Sequence, residues 1–145
     1  MHIRKATERD LYAILDIYNH AILHTTAVWS LTPVTLDDRR DWFRARQAGG
    51  FPILVAIDDD IVCGFCSYGP FRSWAGFAQT VEHSVYVAEG QRRKGVARRL
   101  MASLISVARD RGIHVMVGGV DASNEVSCNL HRSLGFTDAG TLRQV

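Results

Sequence analysis

The chain has 145 residues, of which 47% are hydrophobic and 22% are charged, and its formal net charge is +2. This length and balance predict one globular domain, spanning residues 1–145, with a core of its own. The charge is too small to indicate a nucleic-acid-binding protein, and no apolar run is long enough for a membrane span or a secretion signal. We therefore expect a cytoplasmic protein with no nucleic-acid or membrane partner.

The first half of the chain predicts a strand, two helices and a β-hairpin in that order. Thr7 is expected to cap the first helix and Thr35 the second, because each hydroxyl precedes an acidic first turn. Gly49 and Gly50 end the second helix. The predicted segments are a strand at 2–6, a helix with apolar residues from Leu11 to Ile22, a loop at 25–33, a strand at 51–57, a turn at 58–60 and a strand at 61–68.

Cysteine usage indicates structural thiols. There are three cysteines, an odd number, which argues against a disulfide framework. Cys63 and Cys66 form a C-x-x-C motif inside the apolar run at 61–68. Side chains three apart on a strand point to opposite faces, and no second pair completes a zinc site, so we expect neither a disulfide nor a metal here.

The second half predicts a loop, a strand, a helix, a strand, a helix and a final strand. The first of these helices has an apolar stripe through Val96, Leu100 and Leu104, and Ser123 or Asn124 caps the second. The predicted segments are a loop at 69–76, a strand at 77–87, a helix at 95–111, a strand at 113–117, a helix that ends at Gly135 and a strand at 136–145. The order β-α-α-β-β-β-α-β-α-β predicts an α/β domain, a mixed sheet with helices on both faces.

The junction between the strand at 77–87 and the helix at 95–111 is the most informative segment. A helix start that follows a strand and a Gly-containing turn aims unpaired N–H groups and the positive end of the helix dipole at one point. Arg92, Arg93 and Lys94 add positive charge beside it. We expect a diphosphate to bind there; the alternative is an ordinary basic helix start on the surface. Neither G-x-G-x-x-G nor the P-loop string G-x-x-x-x-G-K-[ST] occurs.

The string R-x-x-G-x-A at 92–97, after a V-x-V strand, resembles the pyrophosphate-binding motif of the GNAT superfamily of N-acetyltransferases. The order of elements is also that of the GNAT fold, apart from that fold's usual last strand. The resemblance implies acetyl-coenzyme A (acetyl-CoA) as the acetyl donor.

Further strings resemble a narrower group, the phosphinothricin, methionine sulfoximine and methionine sulfone N-acetyltransferases. They are T-V-E-H-S-V-Y-V at 80–87, I-Y-N-H-A-I-L-H-T-T-A-V-W at 17–29, G-F-P-I-L-V-A at 50–56, Y-G-P-F-R at 68–72, H-V-M-V at 114–117 and L-H-R-S-L-G-F at 130–136. The resemblance implies acetylation of the α-amine of a small amino acid by a homodimer.

Glu82 and His131 are the expected catalytic residues. Glu82 lies midway along a strand, on the face of Thr80 and Ser84, and an ionised carboxylate there can take a proton from an ammonium group. The resemblance gives Glu82 the same role of general base. It implies that His131, on one helix face with Asn124, donates a proton to the coenzyme thiolate or orients the acceptor. A solvated glutamate and a surface histidine without a role are the alternatives, and His83 is expected to be structural.

The remaining site residues fall into two sets. The backbone of strand 77–87 is expected to pair with the pantetheine amides and the thioester oxygen, as in the resembled superfamily, where the fourth and fifth strands splay apart. The set expected to bind acetyl-CoA is Val85, Tyr86, Val87, Arg92, Arg93, Lys94, Gly95, Val96, Ala97, Arg98, Asn124 and Ser133. The set expected to bind the acceptor is Arg72, Trp74, Ala75, Gly76, Phe77, Thr80 and Glu82, in which Arg72 pairs with a carboxylate and the aromatic rings form apolar walls.

Two other functions remain open. One is acetylation of another amine, such as a polyamine or a protein N-terminus, and the other is an acyl-CoA sensor without turnover. A sensor without turnover is expected to lack the catalytic base, whereas Glu82 is present. The resembled group usually continues with another strand, so we also expect the functional protein to extend past Val145, because a final strand would otherwise leave one row of backbone groups unpaired.

Overall fold

A five-stranded mixed sheet organises the computed structural model, which describes residues 1–145. The strands are β1 (His2–Lys5), β2 (Ile53–Asp58), β3 (Ile61–Pro70), β4 (Thr80–Val87) and β5 (Val115–Val117). The helices are α1 (Leu11–His24), α2 (Leu36–Ala48), α3 (Val96–Asp110) and α4 (Glu125–Ser133), with short 3-10 turns at Glu8–Asp10 and Ala75–Phe77. The strands lie in chain order, and every neighbouring pair is antiparallel except the parallel pair β4–β5.

The sheet separates two apolar clusters. On one face β2 and β3 pack against α1 and α2 through residues such as Ile14, Phe43 and Phe65. On the other face the same strands and β4 pack against α3. Because β2 is covered on both sides, its five residues from Ile53 to Ile57 are all buried. The predicted mixed sheet with helices on both faces is confirmed.

Local capping follows the sequence expectation at Thr35 and Asn124 but not at Thr7, which precedes the 3-10 turn at Glu8–Asp10, while α1 begins after Asp10. The Thr35 hydroxyl accepts from the backbone N–H of Asp38 at 3.1 Å, and the Asn124 side chain accepts from that of Ser127 at 3.1 Å. Asp10 accepts from the backbone N–H of Thr7 at 2.7 Å. The guanidinium of Arg4 donates to both oxygens of Asp10, at 2.8 and 2.9 Å, and lowers the pKa of that carboxyl below its usual value.

Gly64 brings α3 close to the sheet. A Cβ atom at this position would lie 2.7 Å from the backbone oxygen of Tyr86 and 3.2 Å from the side chains of Val96 and Leu100. The absent side chain therefore lets the first turns of α3 rest directly on β3. This contact fixes where the N-terminus of α3 lies relative to the end of β4.

The prediction that Cys63 and Cys66 point to opposite faces is wrong. Both thiols are free, buried, and part of the cluster beneath α3. The register between β2 and β3 shifts at Ala56, so that Cys63 has no partner on β2 and forms a bulge. One extra residue in the strand resets the alternation, which places side chains three apart on the same face. Burial raises the pKa of the Cys66 thiol far above its usual value.

The final predicted strand is also wrong. Residues 136–145 form no strand, and the backbone N–H of Phe136 donates to the oxygen of His131 at the end of α4. A strand exists only where a neighbour completes its ladder, and no other segment of the described chain pairs with these residues. Positive φ angles at Gly140 and Gln144 further interrupt an extended path.

The fourth strand starts at Thr80 rather than at the predicted Phe77, because Ala75–Phe77 forms a 3-10 turn.

Candidate active site

The two parallel strands β4 and β5 part after three residue pairs. The aligned pairs are Thr80 with Val115, Val81 with Met116 and Glu82 with Val117. Beyond Glu82 the edge of β4 that faces β5 has no strand beside it, while its other edge stays paired with β3 as far as Val87. The expected splay is thus present, and it leaves backbone N–H and C=O groups of β4 free for another partner.

Glu82 borders a cavity of about 250 Å³ at this gap. The side chains of β4 alternate, so that Val81 and His83 are buried on the α3 side whereas Glu82 is exposed on the opposite side. The cavity is lined by Thr26, Ala27, Val28, Trp29, Glu82, His83, Ser84, Val85, Tyr86, Gly119, Val120, Asp121, Asn124, Ser127 and His131. It brings together the two residues predicted to be catalytic, Glu82 and His131.

Trp29 is a lining residue that sequence reasoning missed. A Cβ atom at Gly119 would lie 3.5 Å from a carboxylate oxygen of Glu82 and 3.8 Å from the Trp29 ring. These are ordinary contact distances, so Gly119 lies next to both the carboxylate and the indole, and Trp29 is 71% exposed. The tryptophan in a predicted loop was the available signal, since this residue type is enriched at binding surfaces.

On α4, Asn124, Ser127 and His131 all line the cavity, as their spacing predicts. Asn124 caps the helix through its side-chain oxygen, and the Nδ1 atom of His131 lies 2.7 Å from the backbone oxygen of Ser127. The Nε2 atom of His131 lies 3.0 Å from the Nε2 atom of His83. Both histidines are buried, and burial, with the charge of His131, lowers the pKa of His83 to about 4.

The N-terminus of α3 has the form expected of an anion site. Gly95 is its N-cap residue, with a φ of 76°, and no side chain caps the helix. The N–H of Arg99 is the first to bond within the helix, to the Gly95 oxygen, which leaves the preceding N–H groups of Val96, Ala97 and Arg98 outside the intrahelical ladder. Arg92, Arg93 and Lys94 are exposed beside this end, and Arg93 also has a positive φ of 62°.

Several residues predicted to contact acetyl-CoA are held by other groups of the chain. The side chain of Val96, the first residue of α3, is buried against the sheet, so that only its backbone can serve a ligand. The guanidinium of Arg98 donates to the Ser133 hydroxyl at 2.7 Å, which joins the start of α3 to the end of α4. The Tyr86 ring packs against Phe65, and burial raises the pKa of the Tyr86 hydroxyl to about 12. The side chains of Val85 and Val87 pack against the cluster beneath α3, so that only their backbone groups can serve the coenzyme.

The residues predicted to bind the acceptor divide between two places. Glu82 lines the cavity at the gap, whereas most of the others surround a second cavity of about 340 Å³. The members of the predicted set that line this second cavity are Arg72, Trp74, Ala75, Phe77 and Thr80, and Gly76 is exposed in the adjacent 3-10 turn. Arg72 stacks on the Phe71 ring at 4.1 Å and donates to the Phe71 oxygen. The lining of the two cavities has no residue in common.

Comparison with known proteins identifies the family. The sequence profile of the acetyltransferase (GNAT) family matches residues 12–136. The chain is a GNAT acetyltransferase. The predicted fold, enzyme class and resemblance are therefore confirmed, and acetyl-CoA is the acetyl donor in this family.

Two curated relatives are similar over the whole chain. The L-methionine sulfoximine/L-methionine sulfone acetyltransferase of Salmonella typhimurium is 48% identical over 145 residues, which are 100% of this chain and 85% of that protein. The phosphinothricin N-acetyltransferase of Streptomyces coelicolor is 32% identical over 148 aligned residues, covering 100% of this chain and 86% of that protein.

Two solved structures are similar throughout. The acetyltransferase yncA of Salmonella typhimurium, solved with its cofactor acetyl-CoA, is 48% identical with a TM-score of 0.98, and the match covers 100% of this chain and 84% of that one. The ribosomal-protein-alanine N-acetyltransferase of Brucella melitensis is 49% identical with a TM-score of 0.99, covering 100% of this chain and 90% of that one. None of the helices in the present structure has the length and apolar character needed to cross a membrane.

We predict that Gly95→Val weakens acetyl-CoA binding by about tenfold or more, because a β-branched side chain does not tolerate the positive φ and obstructs backbone approach to the diphosphate. Titration calorimetry measures the loss. Gly112→Val is the matched control, since Gly112 has a φ of 74° just beyond the other end of α3. If the two variants bind acetyl-CoA with equal affinity, the diphosphate does not bind at this helix start.

Proposed function

We propose that this enzyme transfers the acetyl group of acetyl-CoA to the α-amine of a small amino acid of the methionine sulfoximine, methionine sulfone or phosphinothricin type. The observation that carries the proposal is the position of Glu82, exposed in the cavity beside the unpaired edge of β4. The names of the curated relatives support the substrate class. The cavity, at about 250 Å³, is slightly smaller than the roughly 300–1,000 Å³ of most small-molecule sites, and so suits a small acceptor.

Glu82 is proposed to be the general base. An amino acid carries its amine as an ammonium group at neutral pH, and this group must lose a proton before it can attack. The exposed carboxylate lies on the side of the sheet where residues 26–29, including Trp29, border the cavity. The acceptor therefore approaches from this side, with its amine at Glu82 and its apolar part against the indole.

The unpaired edge of β4 is proposed to hold the donor. Acetyl-CoA supplies a thioester whose carbonyl carbon accepts the amine and whose thiolate leaves. Free N–H groups of β4 beyond Glu82 are suited to the thioester oxygen and the pantetheine amides. The strand then leads to Val87, and the turn at 88–95 brings the chain to the N-terminus of α3 for the diphosphate.

His131 borders the same cavity from α4, and we propose that it serves the departing sulfur or orients the reactants. The predicted roles of Asn124 and Ser133 along the coenzyme arm, and of Arg72, Trp74, Ala75, Gly76, Phe77 and Thr80 toward the acceptor, stay proposals. The second cavity offers an arginine and aromatic walls, a combination suited to a carboxylate on an apolar stem. Glu82 is not among the residues that line this second cavity.

A protein N-terminus is the second candidate acceptor. It is favoured by the name of the Brucella melitensis protein, which is 49% identical to this chain. The two candidates differ in what the cavity must admit, because a peptide continues beyond the acceptor amine and needs an open path out of the site.

The experiment that tests the function is an assay of coenzyme A thiol release with a panel of acceptors. We expect turnover with methionine sulfoximine, methionine sulfone or phosphinothricin, and little with a polyamine or an alanine-starting ribosomal peptide. Turnover of the peptide alone would favour the second candidate. Binding of acetyl-CoA without turnover of any acceptor would instead identify a sensor.

We predict that Glu82→Gln lowers kcat by about 10²–10⁴-fold, the usual contribution of a general base, while acetyl-CoA binding stays nearly unchanged. Gln preserves the size of the side chain but cannot take the proton. Glu8→Gln is the control, because Glu8 is exposed on the 3-10 turn before α1, remote from β4 in the sequence. If kcat at saturating acceptor is the same in both variants, Glu82 is not the base.

We further propose a homodimer in the cytoplasm, as the resembled group implies. Exposed apolar side chains on several elements, among them Trp74, Val126 and Leu142, are compatible with a partner surface. Analytical ultracentrifugation at micromolar concentration is expected to give twice the 16.2 kDa of one chain. A single species at the mass of one chain would refute the dimer.

A further inference from the structure

His83 and His131 form an imidazole pair on the α3 side of the gap. Their Nε2 atoms are 3.0 Å apart, and the rings are nearly parallel, at 20°, with centroids 5.0 Å apart. Their relative exposures are 9% and 7%, so the contact is shielded from water. His83 comes directly after Glu82 on β4, which places the pair and the proposed base on opposite sides of the same strand.

The hydrogen-bond partners identify the proton positions. The Nδ1 atom of His131 lies 2.7 Å from the Ser127 backbone oxygen, which can only accept, so Nδ1 carries a proton. In a neutral imidazole the Nε2 atom of His131 is then an acceptor, and the Nε2 atom of His83 must donate to it. The Nδ1 atom of His83 is left buried without a hydrogen-bond partner among the protein atoms.

Gly118 and Phe136 lie next to the contact between the two imidazoles. A Cβ atom at Gly118 would lie 2.8 Å from the Nε2 atom of His83 and 3.3 Å from the ring of His131, so a side chain there would collide with the pair. The Phe136 ring meets both imidazoles edge-on, with centroids at 5.5 and 5.1 Å. These apolar walls disfavour a charge on His83, in agreement with its lowered pKa.

We propose that His83 is a positioning residue for acetyl transfer: it holds His131, through this hydrogen bond, in one tautomer and one orientation at the cavity wall. The inference rests on the proposed function and deepens it. A proton given by His131 to the departing sulfur would have to leave from Nε2, the atom that accepts from His83. His131 therefore orients the reactants, and the sulfur takes its proton from another source, such as water.

Two variants of His83 distinguish the effect of the hydrogen bond from the effect of side-chain size. Gln at position 83 offers an N–H close to the place of the Nε2 atom, whereas Leu offers none. We expect His83→Leu to lower kcat by about 10–100-fold with little change in the KM for acetyl-CoA, and His83→Gln to restore kcat to within a few-fold of wild type. His114→Leu, on an exposed histidine outside the cavity, is the matched control and is expected to keep wild-type kcat.

Long-range ¹H–¹⁵N spectra of the histidine side chains test the tautomer directly, in the free wild-type protein at neutral pH. We expect His131 to be protonated on Nδ1 only and His83 on Nε2 only, and His83→Leu to change the ring-nitrogen shifts of His131. A wild-type His131 that carries a proton on Nε2 would overturn the proposal without recourse to any variant. So would wild-type kcat in a folded His83→Leu protein. Failure of the wild-type protein to acetylate any acceptor would overturn the proposed function instead, while these spectra still report on the hydrogen bond.

Discussion

The parting of β4 from β5 after three residue pairs is the constraint on which the rest of the site depends. A sheet normally satisfies every backbone group of an inner strand, so an inner edge without a neighbour is costly unless something else pairs with it. Gly118 and Gly119 follow β5 at this point; a Cβ atom at Gly118 would lie 2.8 Å from the Nε2 atom of His83, whereas one at Gly119 would be in ordinary contact with Glu82 and Trp29. The absent side chain at Gly118 thus leaves room for the imidazole pair beside the gap.

Side chains alternate along β4, so that Glu82 and His83 lie on opposite sides of the strand beside the gap. Glu82 is exposed toward the α1 side, where a charged carboxylate retains contact with water, while His83 is buried toward α3 and α4. A carboxylate in the buried position would have to be neutralised or paired, since burial disfavours its charged form. An imidazole tolerates that position because it can remain neutral and still donate one hydrogen bond.

The sequence predicted those features that depend on local chemistry. The caps at Thr35 and Asn124, the exposed Glu82 between buried neighbours and the glycine at the start of α3 were all predictable from short patterns. Features set by distant residues were not. The bulge at Cys63 depends on register with β2, and the partner of His131 lies 48 residues away on another element.

The position of Trp29 and the lack of a strand at 136–145 show the same limit. A loop residue acquires a place in a cavity only through the segments opposite it, and a strand-like run becomes a strand only if a neighbour supplies hydrogen bonds.

The placement of α3 links the stability of the fold to the site. Val96 and Leu100 in its first turns are buried against β3, and Gly64 allows them to lie there without an intervening side chain. Because the same turns carry the N–H groups at the helix start, the packing that stabilises the core also sets the distance between this anion-binding end and the gap beside Glu82. A rigid spacing of this kind suits a donor that is extended, with a charged group at one end and the reacting thioester at the other. It follows that a substitution in the core beneath α3 would alter donor binding even though it touches no ligand, since it would move one end of the site relative to the other.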